Sequence, residues 1–289
     1  MKTDNNTIRG WGISQDVGVT ITDRPPLFPR ANERAKWLHL LLDPERWIMF
    51  SAVEEYLQKY YKKKPVRVLV LGCGTGAQVV DLAHYFGKRV DLDGADPVLM
   101  QVQMAQKNMK KYQVNADIHC INEEKFPWRK GTFDIVYVHE MAVGVTKREE
   151  WFSQVSRVLK STGVCIFSCS VKPPFWCVRE KRITSLKEGD TPSVGYLSSM
   201  FSYAGFGIVQ RFGRVFSWVT WFPESYVWIT DLSNVSDSKI IKLYNMSRKR
   251  KAKQNLFSRQ LLALVPLLWF YTFGRFFYSD GVVFVAKKG

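Results

Sequence analysis

Cysteine is scarce in this chain, five among 289 residues, and none of the five sits at metal-ligand spacing. Cys165, Cys169 and Cys177 read C-x3-C-x7-C, which is neither a zinc pattern nor the C-x3-C-x2-C of radical enzymes. An odd, scattered set also argues against a disulfide framework and points to reduced thiols in a cytoplasmic setting. On a strand, where side chains repeat every two residues, Cys165 and Cys169 share one face and read as core. Internal repeats are absent, and the polar start MKTDNNTIRGWG lacks the apolar stretch of a signal peptide. A long apolar run is missing too. Leu261 to Phe273 is broken by Pro266 and closed by Gly274-Arg275, short of the roughly 20 residues that a spanning helix needs.

Acidic residues are outnumbered, 26 against 42 Lys and Arg, which leaves a net charge of +16 and a pI near 9.6. This balance implies an anionic partner, whether nucleic acid, a membrane surface or an acidic substrate, and charge does not choose among them. The length suits one elaborated α/β domain with a full core.

The informative stretch runs from Val66 to Asp96, VRVLVLGCGTGAQVVDLAHYFGKRVDLDGAD. A β-branched apolar run feeds Gly72, Gly74 and Gly76, and a helical pattern follows, so the segment reads as a buried strand, a glycine turn and a helix. Glycines keep side chains off the loop, and the helix start offers free N–H groups and a positive dipole end to a ligand. Asp96 closes the second strand, where a carboxylate can accept the two hydroxyl protons of a ribose. A dinucleotide fingerprint needs G-x-G-x-x-G. Gly72-Cys73-Gly74-Thr75-Gly76 is instead G-x-G-x-G, so a nicotinamide enzyme is the weaker reading.

That loop resembles the first motif of the class I S-adenosylmethionine-dependent methyltransferases. The resemblance covers about Val66 to Ser170, including a Phe133-Asp134-Ile135-Val136 phrase, and is nearest the type 11 branch that includes quinone-biosynthesis C-methyltransferases. It implies S-adenosyl-L-methionine as cofactor, held by Gly72, Cys73, Gly74, Thr75, Gly76, Asp96 and Pro97, with Asp96 at the ribose. The residue after the third strand, often an acid that reads adenine in the family, is Asn122 here, with Glu123 next. An Asn carbonyl oxygen can still accept such a hydrogen bond. His139 and Glu140 follow the fourth strand, at the mouth where the family's substrates meet the cofactor. His139 reads either as a general base oriented by Glu140 or as a pocket-lining side chain that touches the cofactor. No N-P-P-Y or D-P-P-Y follows that strand, which disfavours the amine-methylating enzymes of DNA and release factors.

The fold expected is α/β: a Rossmann-like, seven-stranded, mostly parallel sheet with helices on both faces, an N-terminal helical arm and a C-terminal helical insertion before the last strand. Residues 1–62 read as the arm and its helices, with Trp11 and Phe28 either covering a ligand or lying in a surface arm. Residues 63–222 are the cofactor-binding core, 223–278 the insertion and 279–289 the final strand. Expected strands include Arg89–Ala95, Ile118–Ile121, Val164–Ser168 and a region from Phe206 to Trp221; Pro97–Tyr112 is an expected helix. His39, His84 and His119 read as structural.

Within the insertion a basic run, Ser247 to Lys253, precedes the Leu261–Phe273 stretch. Residues 247–273 therefore read either as a contact with an anionic membrane surface or as a buried cap over the pocket. The leading function is methyl transfer to O, C or N of a hydrophobic small molecule or lipid-linked acceptor. An RNA methyltransferase is the alternative, weakened by the lack of a recognised RNA-binding module. A non-enzymatic binding protein on the same fold comes third. No metal site is expected, and nothing in the sequence fixes an oligomeric state.

Overall fold

The structure, a computed structural model, describes residues 26–31, 44–62, 64–122, 125–139, 148–171, 192–214 and 281–289. Trp11, His39, Glu123, Glu140 and the stretch 223–278 lie outside the described residues. In chain order the elements are α1 Pro44–Tyr60, β1 Val66–Leu71, α2 Ala77–Phe86, a 3-10 turn Gly87–Arg89, β2 Val90–Asp96, α3 Leu99–Tyr112, β3 Asp117–Cys120, β4 Phe133–Val138, α4 Arg148–Val158, β5 Leu159–Ser170, α5 Val194–Tyr203, β6 Phe206–Arg214 and β7 Gly281–Lys288.

The seven strands form one sheet in the order β3-β2-β1-β4-β5-β7-β6. Neighbours from β3 to β5 are parallel, and β7 runs antiparallel to both β5 and β6. This is the expected α/β, Rossmann-like, mostly parallel sheet. Strand β1 shows why both faces are covered. Val66, Val68 and Val70 enter one core with residues of α1, α2 and α3, whereas Leu69 and Leu71 enter a second core with residues of α4 and α5. Period-two alternation of apolar side chains on a strand buried on both sides requires a helical layer on each face.

Several expected boundaries shift, two of them for local reasons. Helix α3 starts at Leu99 instead of Pro97 because Oδ1 of Asp96 accepts the Val98 N–H at 2.9 Å, a side-chain turn that delays the helix. Strand β5 begins at Leu159, five residues early, because Leu159 pairs with Phe133 and the ladder shifts before Ile135 meets Val164. Strand β2 ends on Asp96 itself, so the acid belongs to the sheet.

Phe28 needs a larger correction. It is neither a surface residue nor a ligand cover; it is 0% exposed and packs its ring against Phe50 and Tyr85. Asp81 accepts its N–H at 2.8 Å, and Nδ1 of His84 lies 2.5 Å from its carbonyl oxygen. Two residues one helical turn apart on α2 thus hold both backbone groups of Phe28. His84 is structural, as expected, and its Nε2 also reaches the Tyr112 carbonyl at 3.1 Å.

Candidate active site

Strand order reverses at β1, which has β2 on one side and β4 on the other. Chain segments leaving the carboxyl ends of such strands diverge and open a crevice. Three predicted site features meet there: the glycine loop after β1, Asp96 at the end of β2, and His139 directly after β4.

The loop is built by its glycines. Gly72, Gly74 and Gly76 have φ values of +66°, +54° and +87°, a region that a side chain makes costly. Their surroundings differ. A Cβ on Gly76 would stand 2.7 Å from Cε of Met109 and 3.2 Å from Cβ of Ala105, so this glycine lets α3 approach the loop. Among the described residues, a Cβ on Gly74 would meet only Oε1 of Gln101, at 3.6 Å. Gly76 therefore serves packing, and Gly74 leaves room. The loop is tied down by Cys73 N–H to the Ala95 carbonyl at 3.0 Å, and by Nδ2 of Asn108 to the Thr75 carbonyl at 2.9 Å.

Asp96 is 1% exposed, and its Oδ2 accepts the Gly74 N–H at 3.0 Å. Burial pushes its carboxyl above the ordinary aspartate range, while the Val98 and Gly74 N–H groups pull it back down. Each carboxylate oxygen has a second lone pair, so two hydrogen-bond sites remain. Cys73 turns its thiol into the core instead of the crevice. Burial, with the charge of Asp96 adding to it, raises that thiol well above the usual range, so it is no nucleophile. Thr75 is buried, whereas Pro97 and Asn122 are exposed at the ends of β2 and β3.

His139 is 8% exposed. Its Nδ1 lies 3.0 Å from Nε2 of Gln78, in the first turn of α2, and its Nε2 lies 3.9 Å from Oε1 of Glu45, in the first turn of α1. Sequence reasoning missed Gln78, Gln101 and Glu45. A glutamine two residues beyond the last loop glycine was a usable signal for Gln78; the separation of Glu45 from His139 left none. Buried Oε1 atoms of Gln78 and Gln101 have no hydrogen-bond partner among the described residues. The Gln101 oxygen, 3.6 Å from where a Cβ on Gly74 would stand, fits a polar ligand better than a closed core.

Residues 68–163, which carry the loop, Asp96 and His139, match a family described as a methyltransferase domain. They form the methyltransferase domain that this family describes. The chain is 29% identical over 128 residues to a probable S-adenosylmethionine-dependent methyltransferase of Saccharomyces cerevisiae, covering 43% of this chain and 42% of the relative. It is 31% identical over 121 residues to a malonyl-[acyl-carrier protein] O-methyltransferase of Legionella pneumophila, covering 41% and 40%. The chain thus spans about two-fifths of the length of these relatives. Among solved structures, the [4+2]-cyclase SpnF superposes with a TM-score of 0.55 at 15% identity, over 82% of this chain and 80% of the cyclase, a likeness of fold alone.

Proposed function

We propose that this chain transfers a methyl group from S-adenosyl-L-methionine to an O, C or N atom of a hydrophobic small molecule or a lipid-linked acceptor. The observation that carries the reading is the space over Gly74, bounded by the buried Asp96 carboxylate and the unpaired Gln101 oxygen. A longer side chain at position 74 would fill it. Asp96 would hold the ribose hydroxyls, and the loop from Gly72 to Gly76 the methionine end, with Pro97, Asn122 and Glu123 toward the adenine. When bound, the cofactor supplies an electrophilic methyl group on a sulfonium.

The chain's own task is then alignment and proton control, because in-line displacement depends mainly on geometry. His139, at the carboxyl end of β4, would take the proton of an acceptor O–H, N–H or acidic C–H. His139→Ala should lower turnover roughly tenfold or more, the low end for loss of a general base, and leave binding of S-adenosylhomocysteine nearly unchanged. An acceptor presented on a carrier or at a membrane accords with the malonyl-[acyl-carrier protein] activity of the Legionella relative and with the basic and apolar segments at 247–273. Flotation with anionic vesicles tests the surface contact. A protein left in the soluble fraction contradicts it.

The substrate experiment is incubation of cell extracts with methyl-labelled cofactor, followed by mass spectrometry. Label in a lipid or small hydrophobic compound supports the proposal; label confined to RNA replaces it with the nucleic-acid reading that a net charge of +16 allows.

A further inference from the structure

We propose that Gln101 is a second acceptor for the ribose of the cofactor, taking one hydroxyl proton while Asp96 takes the other. The inference deepens the methyltransferase reading above and rests on it. Helix α3 carries four side-chain amides. Asn108 gives an N–H to the Thr75 carbonyl at 2.9 Å, Gln106 gives one to the Ile118 carbonyl at 3.2 Å, and Gln103 is exposed to water. Gln101 is the exception: its Oε1 is buried and has no hydrogen-bond partner among the described residues.

A buried amide oxygen without a donor destabilises the chain, and a ligand that brings a donor relieves that cost. Position narrows which donor it is. A Cβ on Gly74 would stand 3.6 Å from this oxygen, and the Gly74 N–H bonds Oδ2 of Asp96 at 3.0 Å, so Gln101 and Asp96 flank the same glycine. S-adenosyl-L-methionine has three kinds of donor: the α-ammonium, the ribose hydroxyls and the adenine amino group. On the reading above, the methionine end lies along the loop from Gly72 to Gly76 and the adenine toward Asn122. The sugar is then the part beside Asp96, and its hydroxyls are the donors within reach of Gln101.

Counting acceptors agrees. Oδ1 of Asp96 accepts the Val98 N–H at 2.9 Å and Oδ2 the Gly74 N–H, whereas Oε1 of Gln101 accepts nothing from the described residues. The sugar's hydroxyl protons thus meet one charged and one neutral acceptor. The neutral one adds selectivity: a sugar that lacks the matching hydroxyl leaves Oε1 unpaired in the complex, so the site discriminates against a deoxyribose. The same oxygen contributes no bond to the fold, and a methionine of similar length at this position removes a polar atom that the chain does not satisfy.

The test is Gln101→Met in the full chain, read by calorimetry with S-adenosylhomocysteine and its 2′-deoxy and 3′-deoxy forms, and by thermal unfolding without ligand. The variant should bind S-adenosylhomocysteine about two- to tenfold more weakly, the range for one neutral hydrogen bond. One deoxy form should bind wild type and variant alike, to within about twofold, and which one it is names the hydroxyl. The ligand-free variant should unfold at or above the wild-type midpoint. Equal affinity of wild type and variant for S-adenosylhomocysteine, or the same loss with all three ligands, overturns the proposal. So does a lowered midpoint, which assigns the amide to the fold. Adenosine, which keeps the sugar and lacks the methionine, separates the two readings. Binding of adenosine without S-adenosylhomocysteine removes methyl transfer alone and moves the Gln101 comparison to adenosine and its deoxy forms; binding of neither removes both.

Discussion

Gly74 donates its backbone N–H to Oδ2 of Asp96 across 3.0 Å, joining the loop after β1 to the end of β2. The acid therefore braces the glycine turn from the end of β2, a contact that favours its ionised form while burial opposes it.

Asp96 has a raised folded-state pKa because it is buried. The sign follows from linkage: protonated Asp96 favours the fold, so its contribution to stability is full below the ordinary aspartate value, falls as pH rises to the raised value, and is flat above it. Ribose binding needs the ionised form. Affinity for S-adenosylhomocysteine should therefore fall with decreasing pH at a value above that of an ordinary aspartate. Asp96→Asn should weaken binding about ten- to a hundredfold, from losing roughly 1.5–3 kcal/mol of charge-assisted hydrogen bonding, and abolish that pH step. Calorimetry across a pH series reads both.

The loop glycines should separate by cost. Gly76→Ala places its methyl 2.7 Å from Met109 at a φ of +87°, and Gly94→Ala places one 2.6 Å from Cδ1 of Ile118 and 3.3 Å from Sγ of Cys73. Each should lose about 1–3 kcal/mol of stability in denaturant unfolding, the range for overpacking. Among the described residues Gly74→Ala meets no such crowding, and its φ of +54° is what resists a side chain. It should cost about 1–2 kcal/mol, yet weaken S-adenosylhomocysteine binding more than Gly94→Ala does.

Asp81 and Arg46 form a buried pair, 0% and 3% exposed, beneath Phe28. Asp81→Ala leaves a buried guanidinium without its carboxylate and the Phe28 N–H without its acceptor. A loss of about 3–5 kcal/mol is expected, as for breaking other buried pairs. Phe28→Ala should lose a similar amount, about 3–5 kcal/mol, by opening a cavity. Thermal unfolding of both variants checks this, and a shift typical of a surface substitution in Phe28→Ala would contradict the burial.

Thiol reactivity offers a fourth check. Cys120 is exposed, whereas Cys73 and Cys165 are buried with thiols that burial pushes up. Iodoacetamide followed by peptide mapping should modify Cys120 well before the other two. Equal rates would mean that the loop opens on the labelling timescale.

Much of the sheet was legible because its strands are short apolar runs bounded by glycine or charge. VRVLVL before Gly72 and GVVFVA before Lys287 are each a buried strand in the structure. Boundaries failed where side chains or irregular pairing acted. Asp96 capturing the Val98 N–H moved the start of α3, and the shifted ladder opposite Phe133 concealed the first residues of β5 behind a turn-like LKSTG. In the site, the glycine loop and Asp96 follow from local spacing. Glu45 and Gln78 do not, because they reach His139 only through the packing of α1 and α2 on β4. Phe28 was misjudged for a similar reason: prolines on either side suggested an arm, and its partners are 53 and 56 residues away.

The decisive measurement is titration calorimetry of S-adenosylhomocysteine into the full wild-type chain and the Asp96→Asn variant near neutral pH. Saturable one-to-one binding by the wild type, weakened at least tenfold in the variant, is the predicted result. A wild-type chain that is folded yet takes up no ligand, or a variant that binds equally well, would contradict the assignment of the crevice over Gly74.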